Sequence, residues 1–389
     1  TLGLTTGSSS TVPPVLQIPA DRMHADFKLA MEGETVYLFS ADGAVLDTVA
    51  FPWMPAGISY GRLEDGSPDG VLFQQPTPDS VNTGPHYYGI NQDTIVFSHP
   101  SGLYDLPFML ELSGGEDIRY TLDCSEPNES SALYTGPIAI DENSIVKAAI
   151  FVPGLLGQVM IRSYIIGASH LLPVISLNTE PENLWDPEKG MYVLGNDYQA
   201  DWPHFGANFW EDWEYPFHFS YFNADGELEY ESNAGVKIFG AWSRAFEQKS
   251  FALYARAELG TGKFQFPFFG ERPYASFESL VLRNSGNDWE YSMLRDAVMT
   301  SLMAGSRVDY QAYRPVVTYL NGEYWGIYNM REKINEHFIA SLHNVKPGEV
   351  DLLELDGEIK HGDNAKYIEL REFIEINSMA VNANYEYVT

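Results

Sequence analysis

Two dipeptides, Asp42-Gly43 and Asn321-Gly322, each stand between stretches in which apolar and polar residues alternate. That combination leaves a chain few options. Asp-Gly and Asn-Gly accept the positive φ values of a two-residue hairpin turn, and period-two alternation gives strands with two chemically different faces. The first hairpin is predicted within "FKLAMEGETVYLFSADGAVLDTVAF" and the second within "YRPVVTYLNGEYWGIYNM". The second runs on into "REKI", so three charges, Arg331, Glu332 and Lys333, arrive where a helix is predicted to begin. Solvent exposure is the plain expectation for them.

Between the hairpins the pattern changes twice. "IVFSHPSGLYDLPFMLELS", "IRYTLDCSEP", "PIAI" and "SIVKAAIF" are short apolar runs at strand-like spacing and predict a small β-sandwich. From "LLPVISLNTEPENLWD" onward, strands ("PFHFSYF", "GVKIF", "SFALYAR", "SLVLRN") mix with helices. The clearest helix is predicted over "WEYSMLRDAVMTSLMAG": Met293, Leu294, Ala297, Val298, Ser301 and Leu302 recur at helical spacing, Asp288 can cap its start and Gly305 can end it. Two more are predicted from about Asn335 and over "AKYIELREFIEIN". This order of elements reads as α+β. Residues 1 to about 20, rich in Ser, Thr, Gly and Pro, read as a loop or linker.

At 389 residues the chain exceeds what one core usually holds. Its net charge of -31 argues against nonspecific binding to nucleic acid or to anionic membrane. A single cysteine, Cys124, excludes an intrachain disulfide framework. No apolar run approaches the roughly 20 residues of a membrane span. The chain opens on Thr1 and closes on "NANYEYVT", which suggests an internal piece of a longer protein. His204, His218, His337, His343 and His361 show no metal-binding spacing. The Asp-Gly pairs at Asp42, Asp65, Asp225 and Asp356 read as turns, and neither a G-x-S-x-G elbow nor a catalytic setting for Cys124 is present.

Three family resemblances follow. "HADFKLAMEGETVYLFSADGAVLDTVAF", "SYGRLEDGS" and "TPDSVN" resemble part of a bacterial lamin-tail domain, an immunoglobulin-like sandwich, which assigns residues 1–90. "SGLYDLPFMLELS", "IRYTLDCSEPNESSALYTGPIAI" and "VKAAIF" resemble the small sandwich at the C-terminus of chitobiases and hexosaminidases, assigning residues 91–167; Cys124 stands where that family usually has Gly. "LPVISLNTEPENLWD", "GAWSRAFEQKSFALYAR", "LVLRNSGNDWEYSMLRD" and "YLNGEYWGIYNMREKI" follow the order of the CotH-type kinase family, named for a spore-coat protein kinase, over residues 168–389. The resemblance implies two all-β sandwich modules ahead of an α+β atypical protein-kinase-like domain truncated in its C-lobe. It further implies a bacterial surface or secreted protein that transfers phosphate from ATP, with Mg or Mn, to Ser or Thr hydroxyls of a protein substrate.

Such chemistry needs a loop that brings backbone N–H groups and cations to phosphate oxygens. "VKIFGAWSRAFEQKSFALYAR" supplies one: Gly240 for close approach, Ser243, Arg244 for bidentate contact and Lys249 as a point charge. Asp296 is the candidate acid to pair with Lys249, with Asp288 and Glu290 behind it, and Glu332 falls where the hinge beside the nucleotide would lie. The alternatives are an ordinary polar hairpin loop, a solvated helix face and an exposed helix start; Tyr324, Trp325 and Tyr328 read as sheet packing. The family's catalytic and metal-binding Asp residues belong to later motifs, and none is recognised before Thr389. The chain as given is therefore expected to bind nucleotide poorly and not to turn over. A rival expectation is a surface adhesion or matrix-binding protein whose kinase-like region is a noncatalytic scaffold.

Overall fold

Tyr215, Phe217, Phe219 and Tyr221 alternate along one strand, and all four side chains are buried in a single core. Period two puts them on one face, and a face so apolar must be enclosed. The enclosure is a closed barrel of seven strands: β1 (Val174–Asn178), β2 (Tyr215–Phe222), β3 (Leu228–Phe239), β4 (Ser250–Tyr254), β5 (Ser279–Arg283), β6 (Tyr313–Leu320) and β7 (Glu323–Glu332). They pair in the order β1-β2-β3-β4-β5-β7-β6, and a parallel β6–β1 ladder closes the ring. Inward residues such as Val236, Ile238, Phe251, Leu253, Leu280, Leu282, Val316, Tyr328 and Met330 fill it. The structure, a computed structural model, describes residues 29–30, 32–55, 57–77 and 80–389.

The hairpin at Asn321-Gly322 forms as its sequence requires. Asn321 (φ 49°) and Gly322 (φ 84°) both take positive φ, which an Asn-Gly pair tolerates. β6 and β7 pair antiparallel on either side, with a register shift at Thr318/Tyr319. The hairpin at Asp42-Gly43 also forms, pairing Gly33–Phe39 with Val45–Pro52. The linker expected over residues 1 to about 20, and the start of the lamin-tail resemblance, lie outside the described residues.

Residues 96–166 form a small sandwich. A five-stranded sheet containing Ile118–Thr121, Ser144–Ile150 and Met160–Ile166 packs over short pairs such as Phe108–Leu110 with Ile138–Ile140. Leu110, Ile140, Val146, Ala148 and Tyr164 make its core. It touches the barrel through a third cluster, in which Ile165 and the half-buried Leu103 meet Val174, Phe222, Val317 and Tyr319. Asn178 Nδ2 donates to Ser163 Oγ at 3.0 Å and Asn143 Nδ2 to Gly322 O at 3.0 Å across this contact.

Among the described residues helices are few and short: α1 (Pro181–Trp185), α2 (Arg295–Ser301), α3 (Glu336–His343), α4 (Ala365–Ile376) and α5 (Asn382–Val388). The helix predicted from Trp289 begins only at Arg295. Its N-cap position is Leu294, which makes no side-chain cap bond, so the expectation that Asp288 caps the helix is corrected; from six residues upstream, Asp288 accepts Arg295 N at 3.0 Å and Ser292 Oγ at 2.6 Å, and the residues between are turns. Its apolar stripe is not a core stripe either: Ala297 is buried, whereas Leu294, Val298 and Leu302 are exposed. The described part is thus mostly β, and the α component expected from the sequence is the smaller share.

Candidate functional site

Alternation in β4 and β7 decides where the two charged candidates point. Phe251 and Leu253 face the barrel interior, so Lys249 shares their side; Tyr328 and Met330 face inward, so Glu332 does too. The ladders place Phe251 level with Leu282 and Leu282 level with Met330, while Leu253 and Leu280 are level with Glu332. Lys249 and Glu332 therefore lie on one face but at opposite mouths, four strand positions or roughly 13 Å apart. The expectation that both bound one nucleotide in one cleft is corrected by this register.

At the first mouth, Lys249 is buried and its ammonium has no carboxylate partner among the described residues. Nζ donates to Phe246 O at 2.8 Å and sits 4.0 Å from the Phe209 ring centroid and 5.1 Å from that of Tyr192. Burial lowers its pKa from 10.5 to about 8. It lines an open cleft of about 620 Å³ with Trp185, Tyr192, Tyr198, His204, Phe209 and Phe246. A web of hydrogen bonds fixes the site. Tyr192 Oη accepts Lys249 N and Trp325 Nε1, both at 2.9 Å, and donates to Glu247 O at 2.7 Å; Tyr328 Oη donates to Lys249 O at 2.8 Å. Gln248 joins in, donating to Ile327 O at 3.0 Å and accepting Trp289 Nε1 at 2.7 Å.

The loop ahead of Lys249 is a single 3-10 turn, Trp242–Ala245. Gly240 (φ 107°) opens it, and a Cβ there would meet Ser243 Oγ at 2.6 Å, so both residues serve the turn. Arg244 does not reach into the cleft: Nε donates to Gly240 O at 2.6 Å, and Nη1 lies 3.3 Å from Trp210 O and 3.4 Å from Phe209 O. Its guanidinium is spent on backbone carbonyls, which corrects the expectation of a phosphate clamp.

Asp296, the expected partner of Lys249, is engaged elsewhere. It accepts Arg283 Nε at 2.6 Å and lies 3.3 Å from Arg331 Nη2 on the outer side of the barrel. Asp288 is spent on Ser292 Oγ and Arg295 N, holding the turns ahead of α2. At the second mouth, Glu332 accepts Arg272 Nε at 2.8 Å, Arg272 Nη2 at 2.6 Å and Ala312 N at 2.8 Å, with Tyr274 Oη donating to its other oxygen. The smaller pocket there, about 170 Å³, is also lined by Lys333 and Phe338. Arg331 and Glu332 are each 2 % exposed, so the charges after the hairpin are not a solvated helix start.

Sequence reasoning thus placed Lys249 in a cleft and missed what surrounds it. Tyr192 and Phe209 lie in residues 185–213, a segment whose density of Trp, Tyr and Phe was the available signal. Arg272 and Tyr274 carried none, because their role depends on the barrel closing.

Two family models match parts of the chain. Residues 236–385 match the model described as CotH kinase protein, and residues 108–164 match the model described as Fn3 associated. The first covers β3 from Val236 through α4 and holds both barrel mouths' charged residues; the second covers most of the small sandwich, the part likened above to a chitobiase module. No curated protein matches the chain. Among the described residues no helix is long and apolar enough to cross a membrane.

Proposed function

We propose that the Lys249 mouth is the nucleotide-gripping half of an ATP-dependent phosphotransferase, acting in the full-length protein on Ser or Thr hydroxyls of a protein at the bacterial surface or outside the cell. One observation carries this reading. A buried lysine with no acid partner among the described residues, beneath an open aromatic-lined cleft, is a cation held without its anion. Ionised phosphate oxygens would supply what Lys249 lacks, and flat faces such as Trp185 and Phe246 offer stacking surfaces for a purine. ATP brings the transferable γ-phosphoryl group. The residues of this chain bind and orient it: Tyr192 and Tyr328 hold the backbone of Lys249, and the turn fixed by Arg244 walls the cleft.

The fit does not extend to the metal. Among the described residues no group of three or more His, Cys, Asp or Glu is placed to hold Mg or Mn. A second reading, a noncatalytic surface or matrix-binding scaffold, has its own support. Arg244, Asp296 and Glu332 are all satisfied by internal partners, as they would be in a domain kept for shape.

Titration calorimetry of the full-length protein with ATP separates the two. The nucleotide reading expects saturable binding that falls at least about tenfold in Lys249→Met, a substitution that keeps the apolar stem and removes the charge. Binding absent, or equal in both proteins, leaves the scaffold reading standing.

A further inference from the structure

Arg331 lies on the outer side of β7 beneath α2 and is 2 % exposed, yet its guanidinium is short of acceptors. Nη1 reaches Thr300 Oγ1 at 3.4 Å, and Nη2 is 3.3 Å from Asp296 Oδ2 without hydrogen-bond alignment. Nε and Nη2 find no acceptor among the described residues. The same Asp296 oxygen already takes Arg283 Nε at 2.6 Å. Two guanidinium groups therefore share one carboxylate, leaving a local excess of one positive charge in a chain of net charge -31. Buried donors without acceptors carry an uncompensated desolvation cost, which an entering anion removes. The cluster is open to one: the Arg283 and Asp296 side chains keep 34 % and 35 % exposure.

We propose that Arg331 and Arg283 form a phosphate site beneath α2, filled by a phosphoryl group carried on Thr300. Thr300 is half-buried at the rim of the cluster, and its hydroxyl now donates to Asp296 O at 2.7 Å, one turn back. A carboxylate offers two oxygens, whereas a phosphomonoester offers three acceptor oxygens and close to two negative charges, enough for the free N–H groups of Arg331 and for Arg283 together. In the modification, a kinase using ATP forms the new P–O bond to Thr300 Oγ1 as the bond to the β,γ-bridging oxygen breaks. ADP leaves and the hydroxyl proton passes to solvent. The product ties α2 to β7 through charge-assisted hydrogen bonds, so the hold of this short, largely exposed helix on the barrel depends on phosphorylation. The site is separate from the Lys249 mouth and stands whether or not the chain binds nucleotide.

The test compares the whole chain with and without phosphothreonine encoded at position 300. Phosphothreonine should raise the unfolding midpoint of the barrel by roughly 4 °C, and Arg331→Met should abolish the gain. Arg283→Met, at a more exposed position, should reduce it and serves where Arg331→Met fails to fold. Inorganic phosphate on the unmodified chain distinguishes the source of the anion. An Arg331-dependent rise with free phosphate and none with phosphothreonine would remove Thr300 as the carrier. No Arg331-dependent change in either arm overturns the site.

Discussion

The two mouths of the barrel each bury an ionisable side chain on the same inward face, and they treat it in opposite ways. Glu332 has two N–H groups of Arg272, the Tyr274 hydroxyl and the Ala312 amide on its oxygens. Lys249 has a single carbonyl and two aromatic faces. A charge whose hydrogen-bonding capacity is filled from within belongs to the architecture. A charge held in the interior against its desolvation cost, beside an open cleft, is where we propose that a ligand binds.

The largest expected effect tests the architectural half. Glu332→Ala leaves Arg272 buried without its carboxylate and should cost about 3–5 kcal/mol of barrel stability by denaturant unfolding; a loss near zero would remove the contrast between the mouths. Lys249→Met should act with the opposite sign, stabilising the free protein at pH 7 by about 2 kcal/mol, because it removes a charge held at a cost.

The pH dependence sharpens that second case. The folded-state pKa of Lys249 is lowered to about 8 from 10.5, so between these values the unfolded chain binds the additional proton. Stability should therefore rise with pH from about 8 to about 10.5, and the advantage of Lys249→Met should shrink over the same window. Parallel denaturation curves at pH 7 and pH 10 measure both. A constant advantage would mean that Lys249 is not the group titrating.

Two smaller effects concern the turn between the cleft and the strand. Arg244→Ala removes the contacts to Gly240 O, Trp210 O and Phe209 O and should cost about 1.5 kcal/mol. Gly240→Ala should cost about 1 kcal/mol, from a strained φ and the approach to Ser243 Oγ. If either variant alters ATP binding while the fold stays intact, the turn takes part in the grip beyond shaping the wall.

The legible and illegible parts of the chain divide by the range of the cause. Asn321-Gly322 declared its hairpin because turn geometry is written in two adjacent residues. The inward parity of Lys249 and of Glu332 was equally local. Which mouth each occupies was not, because it depends on the register of β4, β5 and β7, set by packing among strands far apart in sequence. Helical spacing over residues 293–302 did mark α2, but its start was set too early, at Trp289, for a related reason. Asp288 and Ser292 use their side chains to hold turns up to Leu294, and only then does the helix start. Asp296 was placed on a helix correctly, but Arg283 and Arg331 reach it first, from strands whose outward faces no periodicity could align.

The claim that Lys249 is a cation awaiting an anion can be put to one titration. The pKa of its ammonium, followed through the Cε resonance of labelled lysine and assigned by its loss in Lys249→Met, should be about 8 in the free protein and should rise by about one unit or more with saturating ATP, since a bound phosphate favours the charged form. A midpoint near the ordinary lysine value in the free protein, or one that ATP leaves unmoved, would contradict the account.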